Sequence, residues 1–403
     1  MSLIDSLNND ELWTIFLNRK KDTSHLPIKV LNNYEEFIKG KKYKNIATKI
    51  INNNYTFSTP KKVLIGKMGK TKKRVVYLFK EDENYILKMI SFLLYKYDYL
   101  FSPNLYSFRQ NSGVKKAIFD LTKKNKLNQM YAYKVDIKNY FNSINISLLL
   151  KNLKVDLNDD KLYSLLKEIL TNPSVIYKDE LINEEKGVMA GVPTSAFLAN
   201  YYLKDLDKYF HDNDIPYARY ADDIIVFANE EKELTKCKNY IITYLKSVYL
   251  EINPDKEFLY KPNEKFEFLG FSYRNGIIDL NFNTIRKIKG KIRRTARGLR
   301  RWKIKKKASD EVTLKAMNRK FNRKFYGKNE TDLTWKYWFF PTINTSDSLK
   351  IIDLYMQDYL RYIVTGKHNK KNLEKVPYEF LKKCGYRPLV NEYYKHKKGK
   401  KNL

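Results

Sequence analysis

The stretch Tyr217-Ala218-Arg219-Tyr220-Ala221-Asp222-Asp223-Ile224-Ile225-Val226-Phe227 constrains this chain more than any other. Aromatic and β-branched residues flank two adjacent carboxylates, the pattern of a short strand, a turn and an apolar strand buried on at least one face. Neighbouring aspartates at the tip of a buried hairpin repel each other and lose hydration, which is costly unless cations neutralise them. Hard divalent ions with oxygen ligands suit such a tip. Standing alone, Asp222-Asp223 would be an ordinary polar turn, so other stretches must decide.

Residues 129–144 supply a further carboxylate. Period-two alternation puts Tyr131, Tyr133 and Val135 on one face of a strand and Ala132, Lys134 and Asp136 on the other. Asp136 then closes a core strand, where a lone carboxylate needs a partner. The plainer role is a helix N-cap, less persuasive beside a second acidic hairpin. Phe141 follows five residues on, past the strand end. Upstream, residues 61–77 spell two β-branched strands around a basic tip with Lys67, Lys70, Lys72, Lys73 and Arg74. That tip is either a solvated lysine loop or a clamp on a triphosphate, to which the fork of Arg74 is matched. Asp82 to Tyr99 has the apolar spacing of a buried helix, Tyr106 to Arg109 follows, and Gly113 to Leu121 starts another. A single helix is expected from Leu153 to Leu170.

Gly187 and Gly191 allow close backbone approach, and Thr194 or Ser195 can cap a helix whose first turns are small. This is ordinary loop-to-helix punctuation or a surface for a nucleotide and its base pair. Leu234, Cys237, Ile241, Leu245 and Val248 form an amphipathic helix, and Phe266 to Tyr273 reads as one further strand. From Ile285 to Lys307 there are thirteen basic residues and no acid, with Ile285, Ile288, Ile292, Leu299 and Trp302 on one stripe. Such a helix repels itself, so a phosphate backbone is its natural counterion; Arg293, Arg294, Arg297, Arg300 and Arg301 are the expected contacts. Gly290 and Gly298 are expected to mark a bend or a close contact. Near the end, Leu349, Ile352, Tyr359 and Ile363 form the core face of a helix stopping at Gly366.

The whole chain carries 78 basic against 45 acidic residues, a net charge of +33, which favours a polyanionic partner such as nucleic acid. Cys237 and Cys384 are the only cysteines and form no Cys-x-x-Cys pair, which excludes a zinc knuckle and a disulfide framework. No apolar run reaches the ~20 residues of a membrane span, and no signal sequence is recognisable, so a cytoplasmic protein without membrane association is expected.

Taken in order, these stretches resemble the reverse transcriptase family. The hairpin with Arg74 is similar to its first block and Tyr106 to Arg109 to its second. Val135 and Asp136 through Phe141 resemble motif A, Gly187 to Asp207 motif B and Tyr220 to Asp223 motif C. Asn253 to Lys256 resembles motif D, and Phe268 to Phe271 motif E. The resemblance spans roughly residues 55–275. It implies an α+β right-hand polymerase with fingers, an antiparallel palm backed by helices, and a helical thumb. The expected division is an N-terminal helical extension (1–54), fingers (55–130), palm with motif A (131–149), an insertion (150–185), palm with motifs B to E (186–282), and a basic helical thumb and C-terminal region (283–403).

It also implies the chemistry. Asp136, Asp222 and Asp223, with the backbone of Ile137, would hold two Mg²⁺ ions, Mn²⁺ being able to substitute. Lys67 and Arg74 would grip the triphosphate, Lys256 would act as general acid, and Phe141 would exclude a 2′-hydroxyl. Gly191 would lie against the nucleotide, and Arg109 and Tyr220 against nucleic acid. Partners would be an RNA template, a DNA primer and its cDNA, and deoxynucleotides. The nearest relatives by resemblance are bacterial group II intron-like enzymes, chiefly stand-alone defence-associated and abortive-infection reverse transcriptases, with retron enzymes next. A cognate non-coding RNA and an anti-phage role follow from that likeness.

One departure stands out: the family usually has Pro-Gln-Gly in motif B, where this chain has Met189-Ala190-Gly191. Ala190 cannot make the glutamine's contacts, so repetitive, protein-primed or template-independent addition competes with templated synthesis. Two other classes compete as well. An RNA-dependent RNA polymerase would leave room for the 2′-hydroxyl, against Phe141. A non-catalytic RNA-binding scaffold would need the charge and not three aspartates.

Overall fold

Leu3, Leu7, Trp13, Phe16 and Leu17 of the N-terminal helical segment are all buried. The structure is a computed structural model and describes residues 2–23, 26–66, 73–110, 112–124, 127–327 and 334–399. The chain folds as two compact units, Met1–Lys261 and Pro262–Leu403.

In the first unit, helices α1 (Asp10–Thr23), α2 (Ile28–Lys39) and α3 (Tyr43–Ile51) precede β1 (Lys61–Gly66) and β2 (Lys73–Leu78). Then come α4 (Glu81–Leu93), α5 (Val114–Lys124), β3 (Tyr131–Asp136) and the single turn α6 (Tyr140–Ser143). The helix expected from Leu153 to Leu170 is two, α7 (Ile146–Asp156) and α8 (Asp160–Thr171). Asn158 at φ 47 breaks the run, and the Asp159 carboxylate accepts from Leu162 N at 3.0 Å to cap the second helix. After β4 (Ser174–Tyr177) and β5 (Glu180–Asn183), α9 (Ser195–Tyr202) and α10 (Lys204–Asp212) lead into β6 (Tyr217–Tyr220) and β7 (Asp223–Ala228). Helix α11 (Glu231–Ser247) and β8 (Phe258–Tyr260) complete the unit.

Two sheets result. One has the order β6-β7-β3-β8, antiparallel throughout; the other has β2-β1-β4-β5 with β1 and β4 parallel. In the first sheet, the face with Tyr133, Val135, Ile224 and Val226 is buried in the core of the unit, together with residues of α9 and α11. Fixed register brings the acids together: Asp136 stands opposite Asp223.

The second unit holds a three-stranded sheet of β9 (Phe266–Phe268), β10 (Phe271–Arg274) and β11 (Ile277–Leu280), followed by α12 (Phe282–Lys306), α13 (Asp310–Tyr326), α14 (Trp335–Trp338) and α15 (Asp347–Thr365). Three short helices follow. Phe266 to Tyr273 is thus a hairpin, because Leu269 (φ 50) and Gly270 (φ 91) reverse the chain, and it belongs with the second unit. Helix α12 runs continuously through Gly290 and Gly298; the Arg294 guanidinium lies close over Gly290, where a Cβ would stand 3.3 Å from Nη1, whereas Gly298 has open space. Its buried residues are Ile288, Ile292 and Ala296, whereas Trp302 is 42% exposed, so the apolar stripe stops short of the helix end. Helix α15 ends at Gly366 in the left-handed region (φ 79), as expected. The α+β composition, the antiparallel sheet and the helical C-terminal region agree with the sequence. Among the described residues no helix is long and apolar enough to cross a membrane.

Candidate active site

Three aspartates lie at the end of β3 and at the tip of the β6–β7 hairpin. Asp136 is the last residue of β3, Asp222 shares the two-residue turn between β6 and β7 with Ala221, and Asp223 opens β7. The two acidic segments are laced together by Ile137 N, which donates to the Asp222 carbonyl at 3.0 Å. Asn253 N donates to the Asp136 carbonyl at 2.7 Å, placing the turn that carries Lys256 beside the acids. Lys256 Nζ reaches Asp136 Oδ2 at 2.5 Å, and Lys134 Nζ lies 3.6 Å from Asp223 Oδ1.

The electrostatics are those of crowded acids. Burial, then the Asp136 charge, pushes the Asp222 carboxyl upward, with Lys256 and Arg74 pulling against them. Burial pushes Asp223 up to about 6, helped by Asp222 and Asp136 and opposed by Lys134. Asp223 Oδ1 is buried and accepts no hydrogen bond. An oxygen-only donor set with like-charge repulsion and an orphaned buried oxygen fits hard divalent cations. Among the described residues no three His, Cys, Asp or Glu side chains converge on one metal position. The fit therefore rests on Asp136 and Asp223, set opposite each other by register, with Asp222 on the turn close enough for the Asp136 charge to act on it.

The turn itself is strained. Ala221 has φ 57, a costly conformation for a residue with a Cβ, and it persists only where neighbours over-determine it. Ser107 Oγ accepts from Ala221 N at 2.9 Å, and Arg219 Nη1 donates to the Ala221 carbonyl at 3.3 Å. Arg219 is fully buried and forks onto the equally buried Asp207 through Nε (2.7 Å) and Nη2 (2.5 Å). Nη2 also donates to the Asn200 carbonyl, and Tyr217 Oη donates to Asp207 Oδ1 at 2.9 Å. Asn200 exchanges two hydrogen bonds with Ser107. None of Ser107, Asn200, Asp207 and Arg219 was expected at the site. The available signal was Arg219 itself, a cation between the buried Ala218 and the acidic turn, which requires a buried acid.

Phe141 lies half-buried on α6, and the glycine loop is folded against it. Gly187 (φ 51) sits where a Cβ would fall 2.4 Å from the Phe141 carbonyl, and Val188 N donates to that same carbonyl at 2.9 Å. Gly191 (φ 105) packs on β2, where a Cβ would meet the Tyr77 carbonyl at 3.0 Å. Tyr77 N donates to the Ala190 carbonyl at 2.9 Å, and Asn142 Oδ1 accepts from Ala190 N at 3.3 Å. The loop thus ties the Phe141 turn to the strand that carries Arg74. Arg74 itself is exposed, and its charge reaches Asp222. Lys67 lies outside the described residues. Tyr220 is half-buried, its ring 6.4 Å from that of Phe108.

Two arginines are engaged elsewhere. Arg109 forks onto Asp98 at 2.8 and 2.7 Å and donates to the Ser102 and Leu105 carbonyls, so it braces the loop 98–109 and is not turned toward a nucleic-acid partner. Arg300 donates to the Tyr362, Ile363 and Val364 carbonyls and so caps the C-terminus of α15. Arg293, Arg294, Arg297 and Arg301 are exposed on α12, in the second unit.

The profile of the family described as reverse transcriptase (RNA-dependent DNA polymerase) matches residues 59–273. The retron Ec83 reverse transcriptase of Escherichia coli is 31% identical over 112 residues, covering 26% of this chain and 34% of the relative. The chain thus spans about a third of the length of that curated relative. Apo telomerase from Candida tropicalis, truncated from the C-terminal domain, is similar over 56% of this chain and 55% of its own, at 18% identity and a TM-score of 0.46. Telomerase from Candida albicans, in complex with the TWJ fragment of telomeric RNA, is similar over 90% and 71%, at 13% identity and a TM-score of 0.45.

Proposed function

Because this chain belongs to the reverse transcriptase family, we propose that it is an RNA-directed DNA polymerase extending a primer with deoxynucleotides. The observation that carries this is Asp136 set opposite Asp223 with Asp222 on the adjoining turn, which a buried network holds.

Asp136 and Asp222, with the Ile137 backbone, are the groups to hold two divalent ions, Mg²⁺ by the family's chemistry. Bound there, such ions lower the pKa of a primer 3′-hydroxyl and offset charge on the leaving pyrophosphate. The protein's own groups do the rest. Arg74 offers a bidentate fork to the triphosphate. Lys256 carries a proton at Nζ beside Asp136, within the same cluster where the pyrophosphate leaves, and serves as its general acid. Phe141 closes the sugar side and disfavours a 2′-hydroxyl. Arg293, Arg294, Arg297 and Arg301 hold nucleic-acid phosphates on the second unit.

Ala190 supports relaxed template dependence, since its backbone N–H and carbonyl are both engaged and its methyl offers no hydrogen bond. The subgroup resemblance extends the proposal to a cognate non-coding RNA and anti-phage defence in the cytoplasm. Sequencing the nucleic acid that co-purifies with the protein tests that extension.

The central test is primer extension on an RNA template with Mg²⁺. Asp222→Asn removes a metal ligand and should lower incorporation at least ~10³-fold. Unchanged incorporation by a folded Asp222→Asn protein would overturn the assignment.

A further inference from the structure

The exposed ring of Phe108 is unexplained by the chemistry above. It is 45% exposed, and its backbone has φ 56, which glycine tolerates and a phenylalanine does not favour. Both neighbours are pinned. Ser107 is locked between Asn200 and Ala221, and Arg109 is forked onto Asp98. With both flanks fixed, the chain turns Phe108 outward. Its ring meets Phe141 edge to face at 6.2 Å and 89°, and lies 6.4 Å from Tyr220 beside the aspartate turn. Phe108 also borders a cavity of about 120 Å³ lined by Leu94, Phe101, Ala196 and Phe197 but by neither Phe141 nor Tyr220. The gate ring is therefore backed by a residue that is itself only partly supported. Strain of this kind, held in place by two independent networks, marks a functional position.

We propose that Phe108 is a positioning residue for sugar selection, fixing the Phe141 ring so that it stands against the 2′ position of an incoming nucleotide. This rests on the assignment of Phe141 as the gate. Without Phe108, the Phe141 ring can tip away and a ribonucleotide gains room.

The experiment measures kcat/KM for dATP and ATP on an RNA template with the full chain, for wild type, Phe141→Ala, Phe108→Gly, Phe108→Leu and the double variant Phe141→Ala/Phe108→Gly. Phe141→Ala should lose one to two decades of discrimination (~10- to 100-fold). Phe108→Gly should lose roughly three- to tenfold, the scale of one edge-to-face pair. Phe108→Leu, which keeps apolar bulk, should lie between Phe108→Gly and wild type. In the double variant the ratio should equal that of Phe141→Ala, because Phe108 acts through a ring no longer there. The thermal midpoint of Phe108→Gly should stay near wild type, since glycine relieves the φ strain; a role confined to stability would move that midpoint and leave the ratio alone. Loss of discrimination in Phe141→Ala alone, or full additivity in the double variant, overturns the role of Phe108 and leaves the gate standing. An unchanged ratio in Phe141→Ala overturns the gate, and with it this inference.

Discussion

Arg219 offers the most searching test of how the fold holds its aspartate turn. Its guanidinium makes two hydrogen bonds to Asp207 and one each to the Asn200 and Ala221 carbonyls, all in the protein interior. Arg219→Met removes all four and leaves Asp207 with the Tyr217 hydroxyl as its remaining donor. An uncompensated buried charge of this kind costs about 3–5 kcal/mol. The double variant Arg219→Met/Asp207→Leu removes the charge as well. It should regain part of that loss, leaving a deficit of about 1–3 kcal/mol from the unpartnered Tyr217 hydroxyl and from the Asn200 and Ala221 carbonyls that lose their donor. Activity should not return with stability. Ala221 would keep its φ of 57 with one of its two anchors gone, so Asp222 would drift, and a displacement of about 1 Å costs on the order of 10²-fold in rate. The assay pairs urea unfolding midpoints with kcat/KM for single-nucleotide extension. A double variant that recovers wild-type turnover would reduce the pair to scaffold, and a loss below about 1 kcal/mol in Arg219→Met would contradict its burial as a bonded pair.

Three further outcomes follow from particular side chains. Replacing Arg293, Arg294, Arg297 and Arg301 by Gln should lower the slope of log K against log[salt] for duplex binding by up to ~0.9 per phosphate ion pair removed; Arg300→Gln should instead lower the thermal midpoint, by uncapping α15, and leave the slope unchanged. Gly187→Ala should destabilise the protein by at least ~2 kcal/mol, because its Cβ would fall 2.4 Å from the Phe141 carbonyl at a φ of 51; a urea midpoint equal to wild type would refute that packing. Burial lowers the Lys186 ammonium to about 8, Glu184 opposing, so the folded state holds that proton less tightly than the unfolded chain does. A depressed basic pKa costs stability below pH 8, and that cost fades as pH rises toward the unfolded value near 10.5. Lys186→Met should therefore be better tolerated at pH 7 than near pH 10, where relief from the buried charge has faded and the lost bond to the Ser174 carbonyl is left as a net cost, read from urea melts at both pH values.

Local chemistry written into the sequence carried a good part of this protein. Alternation set Asp136 at the end of β3 and the Asp222-Asp223 pair where two apolar strands join, and a glycine cap set the end of α15 at Gly366, because strand period and left-handed caps are properties of a few adjacent residues. Local pattern also misled where a single residue outweighed it. Asn158 split a helix that apolar spacing ran together. What only the tertiary structure decided was the destination of each charged side chain. Arg109, Arg219, Arg300 and Arg293 look alike in the sequence, yet the first braces a loop, the second holds the aspartate turn, the third caps a helix and the fourth faces solvent. A guanidinium has five donors and a long stem, so its role is set by whichever acid or carbonyl the folded chain brings within about 3 Å, often from tens of residues away. Sequence spacing carries no record of that distance.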